Sequence, residues 1–214
     1  MTKHAWLTLV LVWGITGCAP TSTADPSSTE TLDRYVAVAL SCEYAECPEG
    51  IVRPSPPVSV QLQGTYRDDQ RLALEAALSQ WNSVCPMLPL EMSGQGDVVM
   101  DFHFVDESRM AGVLAVYVPG NVGLFNYDWD GSNAITGITV AIANEISGTE
   151  MEHFVLEETT QAMGLTNDVE DPQSIFDAGR GRVVTYSPLD KAVISFHCRE
   201  DVSPGMLQNE LPLS

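Results

Sequence analysis

Glu157-Glu158-Thr159-Thr160-Gln161-Ala162-Met163-Gly164-Leu165-Thr166-Asn167-Asp168 is the stretch on which the reading of this 214-residue chain turns. Glu157 and Gln161 lie one helical turn apart and share a face. Gly164 suits the left-handed turn that ends a helix, so a helix is predicted over residues 149–163. His153 sits one turn before Glu157, which makes His153, Glu157 and Gln161 a single stripe. Adjacent carboxylates on a helix point about 100° apart, so Glu157 and Glu158 cannot face one another across a substrate. Past the glycine, Asn167 and Asp168 are short polar residues of the kind that bond backbone amides in turns.

The flanking chain has an α+β order. Residues 31–45 place Leu32, Tyr35, Val36, Ala39 and Leu40 at helical spacing. Residues 58–62 alternate as a half-buried strand, and Asp68 or Asp69 caps a helix over 70–83 that turns Leu72, Ala76 and Trp81 inward. Val98, Met100, Phe102 and Phe104 mark a second strand. Residues 113–118 and 137–143 read as two more, separated by a Gly- and Asn-rich stretch over 120–133. Ser187-Pro188-Leu189-Asp190 starts a final helix to His197: serine cap, proline at the first position, acid three beyond the cap. His103 and His197 have no motif around them and are read as packing or surface residues.

The central stretch resembles the zinc helix of metzincin peptidases, H-E-x-x-H-x-x-G-x-x-H, with every histidine replaced. Glu157, Gln161 and Asn167 stand at the ligand places, while the base (Glu158) and the turn glycine (Gly164) remain. Ser174-Ile175-Phe176 is similar to the turn beneath the metal, with Phe176 in place of methionine. Residues 187–194 resemble the closing helix of the same family. Nearly the whole chain after its leader resembles the bacterial domain-of-unknown-function family 2927, through Glu157-Glu158-x-x-Gln161-x-x-Gly164-Leu165-x-Asn167-Asp168 and Asp171-x-x-Ser174-Ile175-Phe176. Asp190 and residues 203–206 also fit. The resemblance implies a zincin-like fold. Its sheet would be small, twisted and mixed, of about four to five strands, packed with N-terminal, central, motif and C-terminal helices. It implies no reaction.

The ligand set that remains is one carboxylate and two neutral amides, poor donors for zinc, which prefers imidazole and thiolate. Without a metal-bound water, Glu158 alone is a weak catalyst of amide hydrolysis. The domain is therefore expected to be non-catalytic and to hold no cofactor. Glu157, Gln161 and Asn167 would then form a hydrogen-bonded clasp between helix and turn. The alternative is a divergent metal-dependent peptidase with Glu158 as general base, or a metal held by His153 and Glu157. Asp128, Asp130 and Asn133 lack the glutamate that closes a calcium loop.

A formal charge of −19 excludes nucleic acid as a partner. The N-terminus has a short basic start, an apolar run too short to span a bilayer, and then Ile15-Thr16-Gly17-Cys18, which resembles a bacterial lipobox. This predicts a signal peptide over 1–17 and lipidation, palmitate included, at Cys18. A tether over 18–29, one domain over 30–206 and a tail over 207–214 follow. Ala19 after the cysteine favours an outer-membrane anchor facing the periplasm. Cys42, Cys47, Cys85 and Cys198 allow three disulfide pairings; Cys42–Cys47 with Cys85–Cys198 is the one expected. The partners expected are the membrane, through the lipid, and an envelope protein or peptide.

Overall fold

The computed structural model describes residues 26–41, 48–92, 94–179 and 182–212. Cys18, Cys42 and Cys47, with the signal peptide and most of the tether, lie outside the described residues. The architecture is a mixed α/β fold, a largely parallel sheet with five α-helices among the described residues, the last two following all the strands. Six strands form the sheet, more than expected: β1 (Arg53–Pro54), β2 (Val58–Gln63), β3 (Leu90–Met92), β4 (Val98–Val105), β5 (Gly123–Trp129) and β6 (Ala134–Ala143). β3, β2, β4 and β6 are neighbours in that order and all parallel; β1 also runs parallel to β6. β5 alone is antiparallel, paired to the other edge of β6.

The helices are α1 (Ser28–Ala39), α2 (Asp68–Val84), α3 (Glu107–Val113), α4 (Gly148–Gln161) and α5 (Pro188–His197). None among the described residues is long and apolar enough to cross a membrane. β4 shows the expected alternation, with Val98, Met100, Phe102 and Phe104 buried in the main core. Val140 and Ile142 of β6 join that core, while Ala141 and Ala143 face the opposite way onto Met110 and Leu114 of the α3 region.

Several expectations are corrected. Residues 113–118 are not a strand: Leu114 caps α3 and the chain then turns, Tyr117 N–H donating to the Leu114 carbonyl. The Gly- and Asn-rich stretch holds β5 instead. α2 buries Gln70, Ala73, Leu74, Ala77, Leu78 and Trp81, and Leu72 is exposed. Arg67 occupies its N-cap position, with Asp68 and Asp69 in the first turn. α1 begins two residues inside the expected tether, where the Ser27 hydroxyl accepts from Glu30 N–H, and ends at Ala39. Leu211, within the expected tail over 207–214, is buried in the core.

Cys85 and Cys198 form a disulfide between the C-caps of α2 and α5, with Cα atoms 5.6 Å apart and 113 positions of chain between them. A closed loop of that size confines the unfolded chain, so reduction should lower stability by about 5 kcal/mol. Calorimetry with and without reductant checks this. An unchanged melting temperature would mean that the bridge contributes nothing.

Candidate functional site

α4 is amphipathic in an unusual sense, because its cleft-facing side is polar yet covered. His153 (1% exposed), Glu157 (6%), Glu158 (5%) and Gln161 (6%) are all buried. They line a cleft of about 290 Å³ whose other wall is β5. The helix packs against α2 on one side and β5 and β6 on the other. At Gly123 of β5, an added Cβ would meet Glu158 Oε1 at 2.7 Å and the Phe154 ring at 3.0 Å. Glycine there lets helix and strand approach closely.

The expected clasp is only partly formed. Gln161 Nε2 donates to Asp168 Oδ1 at 2.6 Å, so Asp168 takes the place assigned to Asn167. Asn167 turns away from the cleft toward α1, its side-chain amide donating to the carbonyls of Ala37 and Asp168, both at 3.0 Å. Its partners are thus backbone carbonyls, not turn amides. Spacing along a motif does not reveal which of two adjacent short polar residues points inward once the helix has ended.

His153 extends the stripe as expected, with Nε2 3.3 Å from Glu157 Oε2 and Nδ1 donating to the Val183 carbonyl at 2.7 Å. Burial disfavours its charged form. The Glu157 carboxylate, the Val183 carbonyl and the charge of Asp177 outweigh this and hold its pKa above the ordinary value. The contact with Glu157 is buried rather than on the surface, and becomes an ion pair when His153 is protonated. No group of three His, Cys, Asp or Glu side chains among the described residues is arranged to hold a metal ion. With the Asn167 amide committed to α1, the three ligand places do not converge on one point, and the amides among them are the wrong chemistry for zinc.

Beneath the turn, Gly164 has φ +103° and lies against the Val52 carbonyl. Ser174 Oγ donates to Asp190 Oδ1 at 2.6 Å, and Ile175 and Ser187 N–H donate to Asp190 Oδ2 at 3.1 and 2.9 Å. The Asp190 carboxylate therefore joins the Ser174–Phe176 turn to the start of α5, where Ser187 and Asp190 form the expected capping box. Phe176 is fully buried in the core.

His197 is a core residue. Its Nε2 donates to the Met163 carbonyl and its Nδ1 accepts from the Tyr35 hydroxyl, both at 3.0 Å, so the ring is held neutral. Burial and the nearby Arg53 charge push its pKa down to about 3, against the Met163 hydrogen bond, which raises it. The folded value lies below the unfolded one, so this stability is complete above pH ~6.5 and is lost as pH falls toward ~3. Within that window the slope should be about 1.4 kcal/mol per pH unit. Urea titrations at pH 7, 6 and 5 on the wild type and His197→Gln test this; equal slopes would remove His197 as the cause.

β5 was missed by sequence reasoning. Its signal was present, for Phe125, Tyr127 and Trp129 recur at period two with Asn126 and Asp128 between them. They form a ladder, Phe125 stacked on Tyr127 at 5.9 Å and Tyr127 edge-on to Trp129 at 5.7 Å. A comparison with curated proteins found no match. The sequence profile of a protein family of unknown function (DUF2927) matches residues 28–212, which spans the five α-helices and six strands found among the described residues. By that match, the chain belongs to the DUF2927 family.

Proposed function

We propose that this chain is a lipid-anchored envelope protein whose metzincin-like domain binds an extended peptide without cleaving it. The observation that carries this reading is β5: an antiparallel strand paired on one side only among the described residues, bordering the cleft beside α4. Such an edge offers a row of backbone donors and acceptors to a peptide added as a further strand. The metzincin likeness draws support from the order of the elements: motif helix, glycine turn, Ser174–Phe176 turn, capped last helix. The amide-rich ligand places argue against zinc hydrolysis. Anchoring rests on the lipobox-like Ile15-Thr16-Gly17-Cys18 alone.

Hydrogen exchange of the full chain with a capped five-residue alanine–valine peptide carrying a central norleucine tests the binding role. Amides of β5 should gain protection at millimolar peptide, with the peptide recovered intact. Protection confined to other elements, or cleavage with stoichiometric zinc in protein purified without chelator, would sink the reading. The second result would favour a divergent peptidase with Glu158 as base. Palmitate labelling that survives Cys18→Ser would remove the anchor.

A further inference from the structure

The cleft beside β5 combines an aromatic wall with acidic ones. One wall is the aromatic ladder, whose outermost member, Trp129, is 43% exposed. The other walls carry Glu150, Glu157, Glu158, Asp168 and Asp177. Among the described lining residues, His153 is the one group that can carry positive charge, and Glu157 already faces it. We propose that the peptide held along β5 presents a basic side chain, lysine or arginine, into this cleft. The inference rests on the strand-addition reading above and adds the chemistry of the occupant.

The carboxylates are not required as open ligands. Asp168 accepts from Gln161, and Asp177 accepts from Asp171 N–H. What matters is their summed negative potential, focused in a cleft with low-dielectric walls. An aromatic face attracts an ammonium or guanidinium group through its quadrupole, tryptophan most strongly. The aliphatic stem of lysine or arginine would lie along the ladder while its charged head faces the acids, the way such side chains divide between apolar and polar surroundings. An acidic side chain would meet repulsion from one wall and gain nothing from the other. The chain's charge of −19 also speeds the approach of a cationic partner.

The test compares three capped alanine–valine pentapeptides, with lysine, norleucine or glutamate at the centre, titrated into the full chain by calorimetry and followed by hydrogen exchange. Lysine should bind about tenfold more tightly than norleucine at low salt, with the ratio shrinking at about 0.5 M salt as charge is screened. Glutamate should bind most weakly. Trp129→Ala and Glu150→Gln, both at the cleft rim, should each cut the lysine preference to about threefold while leaving the fold intact. Equal affinity for lysine and norleucine, with β5 amides protected by both, overturns the basic-residue inference and leaves strand addition standing. Lysine binding without β5 protection, or no binding of any peptide, overturns both.

Discussion

Gly164→Ala is expected to cost about 5 kcal/mol and to leave little folded protein at 37 °C. Two independent causes act together. The residue has φ +103°, a region that side chains with a Cβ avoid. The added methyl would also sit 1.9 Å from the Val52 carbonyl oxygen, with the carbonyl carbon at 2.9 Å. These are backbone atoms, which cannot swing aside as a flexible side chain would. Relief requires moving either the segment before β1 or the turn that places Asp168 in the cleft. Chemical denaturation of the purified variant checks the magnitude. A loss under about 1 kcal/mol would show that the turn relaxes freely, since a non-glycine residue held in such a conformation costs about 1–3 kcal/mol.

Asp190→Ala should cost about 4–6 kcal/mol, because it strands the buried Ser174 hydroxyl and Ile175 N–H and takes the acceptor from the part-buried Ser187 N–H. Asp190 is 0% exposed and Ser174 likewise, so water cannot replace the lost acceptor. Asp190→Asn keeps one acceptor oxygen but turns an amide donor toward groups that also donate, and should fall between the two. Pairing Asp190→Ala with Ser174→Ala should recover part of the loss, as the orphaned hydroxyl is removed with its partner. Strict additivity of the pair would mean that the two residues do not act through each other.

Much of this architecture was legible because local chemistry and tertiary demand agree there. Ser187, Pro188 and Asp190 cap α5 as written, and Gly164 ends the motif helix region as glycine should. β4 alternates because only one of its faces meets the main core. The failures have physical causes too. Val113 to Val118 is apolar enough for a strand, but Leu114 is buried by closing α3, leaving Val116 43% exposed. β5 was hidden by glycines and asparagines that serve its ends and its close approach to α4. Burial of Glu157 and Gln161 was unreadable as well, since polar residues on one helical face ordinarily signal solvent. The clasp was read one residue too early, Asn167 for Asp168.

The rim of β5 has a last consequence for behaviour at high concentration. An open strand margin invites a second molecule to stack against it, which is how fibrils and sticky aggregates begin. Here two molecules meeting margin to margin would bring two strongly acidic surfaces together, with Asp128 standing on the strand itself. The very lining that would welcome a basic guest thus turns away a twin.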